Sequence, residues 1–196
     1  MSNFIINKIS SSITYIIPTG TYRNCFLVDC GDIEKIIEDG WNVLGVFLTH
    51  AHTDHIYGIN KLLDIFPNAL IYTNEAGMKG LLNPRWNLSH YHYDVDDFVI
   101  CKVDNVYLLD KEGILNLSGG LSVDILFTPG HDPSCITYRI GDCLYTGDSF
   151  IPGIKVVTTF PRCNKRQAEE SLLRIQELER NGLKIKSGHW LRDNEW

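Results

Sequence analysis

The sequence predicts a layered α/β domain with helices outside packed sheets. Three observations carry that prediction: short apolar runs that stop at Pro- or Gly-containing turns, two stretches with apolar residues at helical spacing, and no Pro/Gly/Ser-rich linker along 196 residues. Early strands are predicted over 3–9, 13–17 and 22–28, broken by Pro18-Thr-Gly20 and Cys30-Gly31. Asp32 caps a short helix from Ile33 to Asp39 that Gly40 stops. Val43-Leu-Gly-Val-Phe-Leu48 is apolar throughout, the pattern of a strand buried on both faces. Ile56, Ile59, Leu62, Leu63 and Phe66 then recur at helical spacing until Pro67. Ala69-Leu-Ile-Tyr72 is a further strand, followed by a short helix near 74–82 and an irregular loop over 83–97 rich in Asn, His, Tyr and Asp. Strands follow near 98–103, 105–109, 121–127, 135–140 and 143–146. Asn164 and Gln167 form a capping box for one long helix, with Ala168, Leu172, Ile175 and Leu178 as its apolar stripe and Gly182 as its stop. A last strand near 183–186 precedes Ser187-Gly-His189, and residues 1–196 read as a single domain.

Composition narrows the class. Hydrophobic residues make up 44% and charged residues 21%, ordinary values for a globular protein with a real core. The net charge of −6 argues against a nucleic-acid surface, which needs clustered Lys and Arg. Asn164 to Glu170 mixes both signs, as a solvated helix face does. No segment approaches the roughly 20 apolar residues of a membrane span. The N-terminus lacks the basic start and long apolar core of a signal peptide. Cysteines 25, 30, 101, 135, 143 and 163 show no Cys-x-x-Cys spacing, which predicts reduced thiols and a cytoplasmic location. The partner implied is a small-molecule substrate, with neither nucleic acid nor membrane, and oligomeric state is left open.

The chemistry concentrates after the apolar strand 43–48. His50, His52, Asp54 and His55 place three of the seven histidines and a carboxylate in six residues. Neutral imidazole and carboxylate are the donors that hold zinc, manganese or iron. The C-terminal end of a central strand is also where α/β sheets place their ligands. A polar loop that merely caps a helix would not explain why three later strand-like runs also end on ligand types. Val123–Phe127 leads to Thr-Pro-Gly-His131, Cys143–Gly147 to Asp148, and Leu183–Lys186 to Ser-Gly-His189. His90 and His92, which alternate with tyrosines, read as incidental residues of a surface loop, with the lining of a substrate pocket as the alternative. Cys135 and Cys143 read as small strand residues, not ligands.

Thr49-His-x-His-x-Asp-His55, Thr128-Pro-Gly-His131, Tyr145-Thr-Gly-Asp-Ser149 and Gly188-His189 together resemble the metallo-β-lactamase-fold hydrolases, in particular their hydroxyacylglutathione hydrolase (glyoxalase II)-like branch. Asn24-Cys-Phe-Leu-Val-Asp29 is similar to that family's early strand. The resemblance implies a four-layer αββα sandwich of two mixed β-sheets flanked by helices, with a two-metal centre at one edge. It implies that His50, His52 and His131 hold a first ion, that Asp54, His55 and His189 hold a second, and that Asp148 bridges them. Residues i and i+2 of an extended segment point the same way, so His50 and His52 can share an ion. The implied cofactor is a pair of Zn2+ ions, with iron or manganese as alternatives. The implied reaction is hydrolysis of a small thioester or ester by a metal-bridging hydroxide, with Asp54 orienting the nucleophile and receiving its proton. Rival activities on the same motifs are a mononuclear iron persulfide dioxygenase and a lactonase or phosphodiesterase.

Several positions depart from the family pattern. Trp190 stands where a glycine usually follows the last histidine, and Asp132-Pro133-Ser134 replaces a Ser or Thr followed by Pro-Gly. Asp148 fills a position that is cysteine in some β-lactamases of the fold, which argues against antibiotic hydrolysis. The chain reaches Trp196 soon after the last motif, so the C-terminal helical segment with which hydroxyacylglutathione hydrolases hold glutathione is not expected, nor is a nuclease-type inserted domain. The loop 83–97 carries no motif that names a substrate.

Overall fold

A computed structural model describes residues 3–191. The first sheet contains β1 (Phe4–Ile6), β2 (Ile13–Pro18), β3 (Asn24–Val28), β4 (Asn42–Phe47), β5 (Leu70–Thr73) and β6 (Val106–Leu108), side by side in that order. Its first two pairings are antiparallel and the rest parallel. The second contains β7 (Gly113–Asn116), β8 (Ser122–Phe127), β9 (Ile136–Ile140), β10 (Cys143–Gly147) and β11 (Lys184–Ser187), ordered β11-β10-β9-β8-β7. Only β10 and β11 run parallel. The helices are α1 (Glu34–Glu38), α2 (Thr53–Ile56), α3 (Ile59–Ile65), α4 (Glu75–Leu81) and α5 (Lys165–Arg180). Among the described residues no helix is long and apolar enough to cross a membrane.

Period-two alternation separates the layers. On β3, Cys25 and Leu27 face a core shared with Ile36 of α1, Leu62 and Leu63 of α3 and Leu81 of α4. Phe26 and Val28 face the opposite way, into a core built with Val123, Ile125, Ile136 and Tyr138 of the second sheet. On β10 and β11, Leu144 and Ile185 meet Ile175, Leu172 and Leu178 of α5. Helix, sheet, sheet and helix thus stack in four layers, as the motif resemblance implies. Tyr138 crosses the middle layer, and its hydroxyl donates to the Leu48 carbonyl at 2.9 Å. The Ile136 N–H donates to the Thr49 carbonyl at 2.7 Å. These two bonds tie the sheets together where β4 ends.

Local structure corrects several expectations. The helical run from Ile56 to Phe66 is two helices. At its break the Gly58 N–H donates to the Cys30 carbonyl at 3.0 Å instead of continuing one helical ladder. Asp32 does not cap α1, whose N-cap is Ile33 without a side-chain bond. Its carboxylate accepts instead from the Lys8 N–H at 2.9 Å. Residues 98–103 form no strand. The Phe98, Ile100 and Cys101 N–H groups donate to Ser89 Oγ, the Leu81 carbonyl and Asn60 Oδ1, while Phe98 and Ile100 plug the helix-side core. The edge strand β7 was not anticipated. The capping box on α5 is half formed: Asn164 Oδ1 accepts from the Gln167 N–H, but the Asn164 N–H donates to the Gly130 carbonyl. The mixed-charge stretch there is a solvated face, with Lys165–Glu169 and Arg166–Glu170 as exposed i,i+4 pairs.

Gly58 is required by space. A Cβ at this position would lie 1.9 Å from the Gly31 carbonyl oxygen, a backbone atom that cannot swing away. Gly58→Ala is expected to destabilise the protein by roughly 3 kcal/mol. Urea unfolding should show the midpoint falling at unchanged m-value.

Candidate metal centre

The C-terminal ends of β4, β8, β10 and β11 open onto one edge of the sandwich, and each delivers a part of the site. β4 continues through Thr49 into the extended segment His50–His52, and α2 begins at Thr53, so Asp54 and His55 project from its first turn. The turns after β8, β10 and β11 supply His131, Asp148 and His189. All seven residues singled out from the sequence come together. Ligand atoms of His50, His52 and His131 gather within 4.8 Å of one another, as do those of His50, His55 and Asp148 and those of Asp54, His55 and His189. Asp148 lies between the outer sets, with Oδ1 3.3 Å from His189 Nε2 and 3.5 Å from His55 Nε2, and Oδ2 3.6 Å from His131 Nε2.

The atoms behind each ring determine what faces inward. His55 Nδ1 lies 2.8 Å from Asp29 Oδ2, His131 Nδ1 2.9 Å from the Val157 carbonyl, and His189 Nδ1 2.9 Å from the Ser10 carbonyl. Those oxygens only accept, so each Nδ1 carries a hydrogen and Nε2 is the atom left to face inward. The Thr49 hydroxyl donates to Asp29 Oδ2 at 2.7 Å, which leaves its oxygen to accept from His50 Nδ1 at 3.2 Å. His52 is turned the other way: its Nε2 faces Asp132 Oδ2 at 3.6 Å and its Nδ1 points inward. Inward nitrogens therefore crowd one another, His52 Nδ1 and His131 Nε2 at 3.1 Å and His55 Nε2 and His189 Nε2 at 3.3 Å, close enough to call for a cation or a proton between them. Among the described residues His50 Nε2 is buried with no hydrogen-bond partner. The arrangement is that of a cation site.

The electrostatics of the ion-free protein divide the site. Burial pulls the His55 pKa down, but Asp54, Asp29 and Asp148 outweigh it and raise the ring to about 10. His189 is raised in the same way, burial being overcome chiefly by Asp148. His50 goes well below its ordinary value, through burial and the neighbouring rings of His55 and His52, and burial also lowers His131. Burial would raise the Asp148 carboxyl, but the surrounding imidazoles hold it well below the usual carboxylate range.

A cleft of about 330 Å³ opens on these groups, lined also by Ser10, Thr53, Leu88, His92, Val157 and Phe160. His92 therefore belongs to the cleft, against the surface-loop reading, whereas His90 pairs with exposed Asp97 at 2.9 Å. What fixes His92 there is not a sequence pattern but an anchor: the Asn87 carbonyl accepts both the N–H and the hydroxyl of Thr53, at 2.7 and 2.6 Å, which docks the loop beside Asp54. Trp190, in place of the family's glycine, stacks on Phe4 with ring centroids 5.6 Å apart, so it closes the sheet edge behind His189. Cys135 is buried and joins no candidate ligand set.

Sequence reasoning missed Asp29 as a site residue. Its carboxylate accepts from the Thr49 N–H and hydroxyl at 2.7 Å each and from His55 Nδ1 at 2.8 Å, and it is fully enclosed. Asp29→Ala leaves three buried donors unpaired and is expected to cost about 3–5 kcal/mol. Asp54→Ala, at the cleft surface, should cost far less in the same urea titration.

Comparison with known proteins is consistent with this layout. The metallo-beta-lactamase superfamily model matches residues 11–181. A hydroxyacylglutathione hydrolase of Blochmanniella pennsylvanica is 30% identical over 186 residues, which cover 91% of this chain and 62% of that protein. The chain thus spans less than two thirds of that relative. Among solved structures, BLEG-1, a B3 metallo-beta-lactamase, superposes with a TM-score of 0.84 at 23% identity over 97% of this chain and 92% of its own. TTHA1623, in a di-iron-bound form, superposes with a TM-score of 0.75 at 20% identity over 96% of this chain and 92% of its own. At these identities the structural likenesses establish the fold. With the family match spanning most of its length, the chain belongs to the metallo-beta-lactamase superfamily.

Proposed function

We propose that this protein is a dinuclear metal-dependent hydrolase of a small thioester or ester. The observation that carries the reading is the convergence of ligand atoms: the crowded imidazole nitrogens and His50 Nε2, which has no hydrogen-bond partner among the described residues, meet Asp54 and Asp148 as the donors of a cation would. His50, His52 and His131 would hold one ion, Asp54, His55 and His189 the other, and Asp148, with an oxygen toward each set, would serve both. The donor set of imidazole and carboxylate suits zinc, and it also accepts iron or manganese. Two bound ions supply a lowered water pKa and polarise the carbonyl under attack.

The remaining work falls to the chain. Asp54 Oδ2 faces His189 Nε2 at 3.4 Å, which leaves Oδ1 to orient the attacking water and take its proton. Leu88, Val157 and Phe160 line the apolar side of the cleft, where an acyl group fits, and Phe160 packs edge-on against His52 at 5.9 Å. Thr53, Ser10 and His92 offer hydrogen-bonding groups around it. The likeness to a hydroxyacylglutathione hydrolase supports a thioester. Six unpaired cysteines support a reducing, cytoplasmic setting.

Elemental analysis of natively purified protein is expected to give two equivalents of zinc, and chelation is expected to abolish hydrolysis of S-lactoylglutathione or a simpler thioester. One equivalent of iron, with oxygen consumed on addition of glutathione persulfide, would overturn the proposal in favour of a dioxygenase. Gly188 supplies a second test. A Cβ there would lie 2.5 Å from Asp148 Oδ1 and 2.8 Å from His55 Cε1, so it would push both from their places. Gly188→Ala is expected to weaken zinc binding about 10–100-fold, with secondary structure by circular dichroism unchanged.

A further inference from the structure

His52 is the odd ring of the centre, since it alone turns Nδ1 inward, and the groups behind it are not those of the other four. Asp132 Oδ2 faces its Nε2 at 3.6 Å. The other oxygen, Asp132 Oδ1, accepts from the Ser134 N–H at 2.8 Å and from the Ser134 hydroxyl at 2.5 Å. Ser134 Oγ in turn accepts from the Ala51 N–H at 3.1 Å, which grips the backbone between His50 and His52. Arg162 completes the group, with Nη2 3.7 Å from Asp132 Oδ1. Its guanidinium lies over the Trp86 ring at 4.4 Å, and its Nη1 is buried. Arg162 holds φ at +77°, a left-handed backbone that a side chain adopts only when its surroundings enforce it.

We infer that Asp132 and Arg162 are positioning residues that fix the hydrogen of His52 on Nε2 and so present Nδ1 to the first ion. This rests on the two-ion reading above. Asp132 is the first residue of the Asp-Pro-Ser stretch that departs from the family pattern, and the departure has a physical use. A serine or threonine hydroxyl can donate or accept, so it does not dictate which imidazole nitrogen carries the hydrogen. A carboxylate only accepts and does dictate it. The two Ser134 donors on Oδ1, with the Arg162 guanidinium paired to it as an ion at 3.7 Å, stop the carboxylate from rotating away. Arg162 offsets the cost of burying its charge. Trp86 belongs to the 83–97 loop that walls the cleft, so the orientation of a metal ligand and the placing of that loop share one contact.

Asp132→Asn separates this role from mere packing. The amide keeps an oxygen for the two Ser134 donors and turns an NH2 toward His52 Nε2, which then favours the hydrogen on Nδ1, where it blocks the ion. Zinc is titrated into wild type, Asp132→Asn and Arg162→Gln against a chromophoric chelator, with the two binding steps read separately. Thermal unfolding of the ion-free proteins runs alongside. The expected result is a loss of about 10–100-fold in one step for Asp132→Asn. Arg162→Gln should give a smaller loss in the same step, with the other step unchanged although ion-free unfolding moves to lower temperature. If Asp132→Asn does not fold, Arg162→Gln decides. Equal weakening of both steps in proportion to lost thermal stability, or no weakening of either, overturns the inference. Wild-type protein that takes up no zinc overturns the two-ion reading itself, and is seen before any variant is compared.

Discussion

The Asp29 carboxylate is the constraint on which the rest of the site depends. It sits at the end of β3 in a left-handed backbone conformation, φ +59°, and receives three hydrogen bonds from the β4 side. One fixes the backbone where β4 turns into the histidine segment. Another holds the His55 ring. The third passes through the Thr49 hydroxyl to His50. A single buried acceptor thereby sets the direction of two rings that belong to different ligand sets. Remove it, and the buried Thr49 N–H and His55 Nδ1 lose the acceptor that holds them.

The sandwich exists to bring that anchored segment against the opposite sheet. β4 and its extended continuation lie on one sheet, and His131, Asp148 and His189 come from the ends of strands on the other. Tyr138 and the Ile136–Thr49 bond fix the separation of the two halves. Tyr15 does the same near β11, donating from its hydroxyl to the Ser187 carbonyl at 2.8 Å. Packing and hydrogen bonds from both sheets therefore fix where the candidate ligands stand relative to one another.

Much of this was legible in the amino-acid order, and the remainder was not for physical reasons. The seven candidate ligands stand out because each follows a strand-like run, and a ligand type at the end of a buried strand is a local signal. Asp29 also follows a strand-like run, but no sequence pattern says that it turns away from the ligand sets to hold Thr49 and His55, 20 and 26 residues downstream. The misread strand at 98–103 has the same origin. Phe98 and Ile100 are apolar because they plug a core, but their N–H groups bond to side chains and a loop carbonyl instead of a neighbouring strand. His92 was hidden because its place in the cleft depends on Asn87 docking on Thr53, a contact that no periodicity encodes.

Anomalous scattering from crystals of the natively purified protein, measured above and below the zinc and iron edges, addresses the two-ion centre most directly. The account predicts two peaks, one among His50, His52 and His131 and the other among Asp54, His55 and His189, with Asp148 reaching both. A lone peak, or none at this edge of the sandwich, would contradict it.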